Sequence, residues 1–149
     1  MNKIPYGKQH LDKKDISNVV KSLKSELITT GLFVKKFEKD LNFFFKSKFA
    51  LTCNSGTSAI NMAFKGIGLQ EDDVIIMPAV NFIASYNVAR SMNAKIYLAD
   101  IDKLSGQMTP RNVIECIKKN KLKRIKVILT MYMGGYPENV VEFGALRKK

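Results

Sequence analysis

The stretch ALTCNSGTSAINMAFKGIGL, residues 50–69, contains the change of hydrophobic period that decides the fold. It begins with a short apolar run, residues 50–53, which predicts a strand. Four residues with amide, hydroxyl or no side chains follow at 54–57. Residues 58–65 then carry apolar side chains at helical spacing. The stretch therefore predicts a strand that passes into a helix through a polar turn.

The same alternation continues along the chain. Further strands are predicted at 73–78, 94–100 and 124–133, and helices at 12–25, 32–45, 82–92, 109–120 and 137–149. The apolar runs at 74–77 and 127–129 are continuous, which is typical of strands covered on both faces. We therefore predict an α/β fold with a mostly parallel sheet and flanking helices. A helical segment over residues 1–45 would precede alternating strands and helices over residues 46–149.

Composition excludes several classes of protein. The 149 residues are 46% hydrophobic and 26% charged, which is enough apolar surface for one domain with a core. No apolar run reaches the roughly 18 residues that cross a bilayer, and the N-terminus lacks the apolar segment of a secretory signal. Two cysteines and a lone His10 argue against a disulfide framework or a zinc site. We expect a cytoplasmic protein with no metal and no membrane segment.

The net charge of +12 raises the question of nucleic acid. Arginine, the residue best suited to bidentate phosphate contacts, occurs only at positions 90, 111, 124 and 147. Most lysines fall on predicted helix faces, and the cluster IKKNKLKRIK at 117–126 is the one candidate patch. No nucleic-acid motif accompanies it, so we expect no nucleic-acid partner. A non-catalytic basic module for nucleic acid or an acidic partner stays as the alternative function.

The turn at 54–58 has the features of an anion site. Ligands of parallel α/β sheets bind beyond the carboxyl ends of the strands, where this turn would lie. Gly56 can take a positive φ, and Thr57 or Ser58 can cap the helix. The free N–H groups of the first turn would then face an anion such as phosphate. The alternative is an ordinary capped turn. Neither a P-loop nor a dinucleotide-binding fingerprint is present.

Phe82 follows the strand at 73–78 on the same predicted rim. A flat ring beside a phosphate site suits a planar aromatic cofactor. The alternative is that Phe82 is the first core residue of its helix.

The segment FALTCNSGTSAINMAFKGIGLQEDDVIIMPAVNFIASYNVARSMNAKIYLADID, residues 49–102, resembles the DegT/DnrJ/StrS-type sugar aminotransferases, which use pyridoxal 5'-phosphate (PLP). Three other segments resemble the same family: IPYGKQHLDKKDI (4–16), ITTGLFVKKFEKDL (28–41) and MYMGGYPENV (131–140). The likeness covers essentially the whole chain in order. It implies the N-terminal, PLP-binding portion of the large domain of a fold-type I aminotransferase.

The resemblance implies roles for residues that match the family's motifs. Gly56, Thr57 and Ser58 would hold the cofactor phosphate, and Phe82 would stack on the pyridine ring. The pair Thr30 and Gly31 would lie near the substrate.

Other matched positions carry no implied chemistry or depart from the family. Asp100 and Asp102 match the family's pattern, and we interpret them as turn-forming residues. Tyr132 stands where the family commonly has histidine, and Gly134 where it has an aromatic residue, so substrate contacts there differ.

The implied reaction transfers an amino group from an amino acid, expected to be glutamate, to the keto group of a nucleotide-linked sugar. The product would serve amino-sugar and cell-surface polysaccharide biosynthesis, and the enzyme would be a homodimer. In the family, the Schiff-base lysine and the acid beside the ring nitrogen lie downstream of the matched region. We therefore expect this chain to contain no catalytic residue, to be inactive alone and to associate through exposed faces.

Overall fold

The computed structural model describes residues 7–146, which form two compact units, one up to Thr52 and one from Cys53. The first unit contains helices α1 (Lys13–Leu23) and α2 (Leu32–Phe45). Asp12 caps α1: its carboxylate accepts from the backbone N–H of Asp15 at 2.8 Å, and the Asp15 carboxylate accepts from the Asp12 N–H at 3.0 Å. Both predicted helices are confirmed.

The strand predicted at residues 50–53 is wrong, because this segment is irregular. The backbone N–H of Thr52 donates to the Glu38 carboxylate at 2.9 Å, and the Thr52 hydroxyl donates to the same oxygen at 3.1 Å. Leu51 is 74% exposed. An apolar run becomes a strand only where another backbone pairs with it. Here the Glu38 carboxylate of α2 accepts the Thr52 N–H that would otherwise bond to a neighbouring strand.

The second unit holds a three-stranded sheet within residues 53–146. Its elements follow in the order α3 (Gly56–Gly66), β1 (Val74–Pro78), α4 (Ala84–Ser91), β2 (Lys95–Ala99), α5 (Pro110–Asn120), β3 (Val127–Ile128), a 3₁₀ turn (Met133–Gly135) and α6 (Val140–Leu146). The strand order is β2-β1-β3 and both pairings are parallel, with Val74 opposite Lys95 and Ile75 opposite Val127. The predicted parallel sheet is confirmed.

Two element bounds differ from the prediction at the C-terminal side. The strand predicted at 124–133 shortens to Val127–Ile128, because β3 pairs with β1 over two positions only. Its flanks still bond to β1: the Lys126 N–H donates to the Val74 carbonyl and the Leu129 N–H to the Ile76 carbonyl, both at 2.9 Å. The helix predicted at 137–149 begins later, at Val140. Its predicted residues 147–149 lie outside the described residues.

Helices cover both faces of the sheet. On one face, Ile75 and Met77 of β1 pack with Phe64 of α3 and Val88 of α4. On the other face, the sheet packs with α5, α6 and the loop before α5. The buried residues there are Ile76, Ala99, Met108, Val113 and Cys116. Because alternate residues of β1 enter two cores, the strand is apolar throughout.

No helix among residues 7–146 combines the length and apolarity that crossing a membrane requires. Cys53 is exposed and Cys116 is buried, and both are free thiols. Burial raises the pKa of the Cys116 thiol.

Candidate functional site

Ser55, at the start of α3, is the helix cap of the polar turn. It has an extended backbone (φ −159°, ψ 158°), and its hydroxyl oxygen accepts from the Ser58 N–H at 3.1 Å. The predicted cap by Thr57 or Ser58 is therefore wrong, and α3 begins at Gly56, one or two residues earlier than expected. Gly56 has no positive φ, because the extended Ser55 already turns the chain into the helix.

Hydrogen bonds among the side chains of residues 54, 55 and 58 stabilise this turn. The Ser58 hydroxyl donates to the Asn54 side-chain oxygen at 2.8 Å, and the Ser55 hydroxyl donates to the Ser58 oxygen at 3.0 Å. The hydroxyl proton of Ser58 is therefore engaged within the protein. Ser58 thus stabilises the turn, and its predicted role in holding the phosphate stays a prediction.

Gly56 and Thr57 leave their backbone N–H groups available. Neither group donates a hydrogen bond to any residue between 7 and 146. Both residues are exposed, and a Cβ added at Gly56 would meet nothing within 4 Å. Two free N–H groups at the positive end of an 11-residue helix fit a phosphate group. The site residues and their geometry thus suit the phosphate of PLP.

The position of α3 relative to the sheet follows from its packing and its connection to β1. Residues 67–73 link the end of α3 to the start of β1. Phe64, near the end of α3, packs with Ile75 and Met77 of β1. Helix and strand each span about 16 Å, so we expect a helix that returns along β1 to begin near the level where β1 ends. This is the edge at which open α/β sheets bind ligands.

The strand order creates a topological switch point at this edge. The chain leaves β1 through α4 to β2 on one side, and then crosses through α5 to β3 on the other side of β1. The loops that follow β1 and β3 therefore diverge, and the crevice between them is the usual ligand position. Phe82 lies in the first of these loops and Tyr132 in the second.

Phe82 is 74% exposed, so the interpretation of its ring as a core residue is wrong. The predicted helix at 82–92 begins at Ala84, and Phe82 precedes it. The nearby Asn81 amide donates to the buried Ser85 hydroxyl at 2.8 Å, which ties the loop to α4. The ring is thus available to a ligand, and its stacking role stays a prediction.

Thr30 and Gly31 form a strained turn in the first unit. Thr30 has φ 49°, a left-handed conformation that is unusual for a β-branched residue. Gly31 is buried, and a Cβ there would lie 2.5 Å from the Leu27 carbonyl oxygen, so only glycine fits. Strained backbone clusters at functional sites. The predicted substrate role of these two residues stays a prediction.

Asp100 and Asp102 shape the loop after β2, as interpreted from the sequence. The Asp100 carboxylate accepts from the Ile101 N–H at 2.8 Å. The Asp102 carboxylate accepts from the Ser105 N–H at 2.9 Å, the Ser105 hydroxyl at 3.1 Å and the Leu104 N–H at 3.0 Å. Donation first from Ser105 and then from Leu104 lowers the pKa of Asp102. Asp102 is therefore a turn-forming residue, whereas Asp100 contacts only the backbone of the next residue.

The loop after β3 contains a contact that the sequence did not indicate. Gly134 and Gly135 have φ 66° and 76°, which lets the chain make its 3₁₀ turn after Tyr132. The Gln107 side chain, from the loop after β2, donates to the Tyr136 carbonyl at 2.9 Å. No local pattern could reveal this bond, because its partners are 29 residues apart.

The basic cluster at 117–126 lies away from the carboxyl edge. Lys118 and Lys119 occupy the last turn of α5, where cations stabilise the negative end of the helix dipole. Lys126, which precedes β3, has its ammonium group 3.8 Å from the Asp73 carboxylate before β1. These positions give a structural reason for several of the charges and support the interpretation as solvated surface.

Comparison with known proteins connects this geometry to a family of enzymes. A UDP-4-amino-4,6-dideoxy-N-acetyl-beta-L-altrosamine transaminase of Campylobacter jejuni is 33% identical over 98% of this chain and 38% of its own length. The chain thus spans well under half of that relative.

Two solved structures support the same relationship. A GDP-4-keto-6-deoxymannose-3-dehydratase with a trapped PLP-glutamate geminal diamine matches 97% of this chain and 38% of its own chain, with 25% identity and a TM-score of 0.84. The PLP form of the putative sugar aminotransferase Spr1654 from Streptococcus pneumoniae matches 76% of this chain and 29% of its own, with 26% identity and a TM-score of 0.71. The predicted fold-type I aminotransferase fold is confirmed.

The sequence model of the DegT/DnrJ/EryC1/StrS aminotransferase family matches residues 9–149. This match includes the α3 turn, the Phe82 loop and the loop after β3. The chain belongs to the DegT/DnrJ/EryC1/StrS aminotransferase family.

Proposed function

We propose that this chain supplies the phosphate-binding part of a PLP-dependent aminotransferase that acts on nucleotide-linked sugars. The observation that carries the proposal is the pair of free backbone N–H groups of Gly56 and Thr57 at the start of α3. A helix N-terminus that carries a family motif is a suitable phosphate site. Bound PLP would supply an electron sink for the amino-transfer chemistry.

Within this site, each residue has a separate proposed task. Gly56 and Thr57 donate to the cofactor phosphate, and Ser58 keeps the turn in shape through Asn54. Phe82 covers the cofactor ring, since its side chain is exposed beside the end of β1.

The proposed substrates follow from the relatives. One relative is a transaminase of a UDP-linked amino sugar, and another holds glutamate bound to PLP. We propose a nucleotide-linked keto sugar as acceptor and glutamate as amino donor, with Thr30 and Gly31 contacting the substrate. A homodimer and a cytoplasmic location are part of the same proposal.

No lysine among residues 7–146 is proposed as the covalent partner of the cofactor. A lysine that serves this role is usually desolvated so that its amine is neutral and nucleophilic. Every lysine within residues 7–146 is exposed. We therefore propose that the chain binds PLP but does not catalyse transfer alone. A coupled assay with glutamate and a panel of keto-sugar nucleotides tests this, and turnover above that of free PLP would contradict it.

Substitution of Gly56 tests the phosphate site without disturbing the helix. Proline suits the first helical position, and Ser55 already has the extended backbone that proline requires before it. Gly56→Pro therefore deletes one N–H donor and keeps α3. Loss of a hydrogen bond to a charged group should weaken PLP binding roughly 10- to 100-fold.

Gly56→Ala is the matched control, because it keeps the N–H group and its Cβ meets nothing within 4 Å. Its affinity for PLP, measured by equilibrium dialysis, should equal that of the wild type. Pyridoxal, which lacks the phosphate, should bind all three proteins equally. Equal PLP binding by Gly56→Pro and wild type would show that the phosphate lies elsewhere.

A further inference from the structure

Gln107 has a buried polar side chain that has no role in the proposed function. It is 3% exposed, at the end of the loop that follows β2. The Asp102 N–H donates to the Gln107 carbonyl at 2.8 Å, and the Gly106 N–H donates to the Asp102 carbonyl at 2.9 Å. Gly106 has φ 69°, which closes this loop. The backbone around Gln107 is therefore held in place.

The Gln107 amide connects two loops that are not neighbours in the sheet. Its Nε2 donates to the Tyr136 carbonyl at 2.9 Å, and the Glu138 N–H donates to the same carbonyl at 3.0 Å. The loops follow β2 and β3, which lie on opposite sides of β1. Both loops emerge at the carboxyl edge, so the bond spans this edge and fixes the end of the segment 132–136.

Burial of the Gln107 amide costs free energy that a residue with only a packing role would avoid. The Gln107 Oε1 atom is buried and has no hydrogen-bond partner among residues 7–146. An apolar side chain of similar volume, such as methionine, would avoid leaving this acceptor unsatisfied. The bond from Nε2 to Tyr136 is the contact that methionine could not make.

We infer that Gln107 is a positioning residue that holds segment 132–136 at the carboxyl edge of the sheet. This segment contains Tyr132 and Gly134, where the chain departs from the usual residues of its family. The identity of the ligand at this edge, a nucleotide-linked sugar, rests on the proposed function. The order that Gln107 imposes on the segment does not.

Hydrogen exchange measures that order directly in the full chain. Gln107→Met removes the donor, so amides in segment 132–138 should exchange roughly five- to tenfold faster, the factor that corresponds to one ordinary hydrogen bond. Exchange within α5 should stay unchanged and serves as the internal reference. Gln70→Met is the matched control variant, because Gln70 is exposed.

Gln107→Glu adds a test that a space-filling role would fail. A protonated carboxyl group can donate to the Tyr136 carbonyl, whereas a carboxylate cannot. Protection of segment 132–138, after correction for intrinsic exchange, should approach the wild-type value below the pKa of the new side chain and fall above it. Equal protection of this segment in wild type and Gln107→Met, or equal acceleration in α5, would overturn the inference.

Ligand binding separates this inference from the proposed function. Gln107→Met should weaken binding of UDP-N-acetylglucosamine, used as the probe, and leave PLP binding unchanged. If wild type binds both ligands and Gln107→Met does so equally, the inference fails and the proposed function stands. If wild type binds neither, the proposed function fails, and the exchange data alone decide whether Gln107 positions the segment.

Discussion

The hydroxyl oxygen of Ser55 accepts the backbone N–H of Ser58 at 3.1 Å. This bond satisfies one of the N–H groups at the start of α3 and leaves those of Gly56 and Thr57 facing outward. The same contact therefore stabilises the helix and exposes the donors that we assign to the cofactor phosphate.

Substitution of Ser55 separates these two effects. Ser55→Ala removes the cap and should lower the free energy of unfolding by about 1 kcal/mol, within a usual range of roughly 0.5–2 kcal/mol. Ser55→Asp keeps a capping oxygen and should retain the stability. Its negative charge should nevertheless weaken PLP binding, because it lies beside the cofactor phosphate. Thermal unfolding and equilibrium dialysis measure the two quantities, and PLP binding by Ser55→Asp at wild-type strength would count against the phosphate assignment.

Phe82 should matter for binding and hardly at all for stability. Its ring is 74% exposed, so Phe82→Ala should change the free energy of unfolding by no more than about 0.5 kcal/mol. Loss of the stacked ring should weaken PLP binding, and Phe82→Tyr should retain it because the aromatic face is kept. A large drop in the melting temperature of Phe82→Ala with unchanged PLP affinity would show that the ring is structural.

Gly31 should tolerate no side chain. The Cβ of Gly31→Ala would lie 2.5 Å from the Leu27 carbonyl oxygen, so the turn before α2 must shift. We expect a loss of about 1–3 kcal/mol in the free energy of unfolding, the usual cost of overpacking. Gly7→Ala is the control, since a Cβ there meets nothing within 4 Å. Urea unfolding followed by circular dichroism compares them, and equal midpoints would contradict the tight turn.

The Asp102 carboxylate should stabilise the second unit at neutral pH and lose this effect in acid. Hydrogen bonds from Ser105 and Leu104 lower the pKa of Asp102 in the folded state. Its contribution is therefore complete above the ordinary aspartate pKa of about 3.9 and is lost as the pH falls through the lower folded value. Asp102→Asn removes this contribution at neutral pH. Its melting temperature should be lower than that of wild type at pH 7, and the difference should shrink in acid. A constant difference across this range would exclude the carboxylate as the cause.

Local sequence signals determined the helices and the type of fold. The adjacent residues Thr109 and Pro110 are a typical helix start, and in the structure Thr109 is the N-cap of α5 and Pro110 its first residue. The continuous apolar run of β1 likewise indicated a strand covered on both faces, and it enters two cores. These features depend on neighbours in the chain, so the sequence alone reveals them.

Contacts between distant residues decided the rest. Residues 50–53 are apolar but irregular, because Glu38 takes the Thr52 N–H. The strand predicted at 124–133 is only Val127–Ile128 in the structure, because these two residues alone pair with β1. The Gln107 side chain donates to the Tyr136 carbonyl across the carboxyl edge. Strand pairing and side-chain bonds join groups that only folding brings together, so the tertiary structure alone decided them.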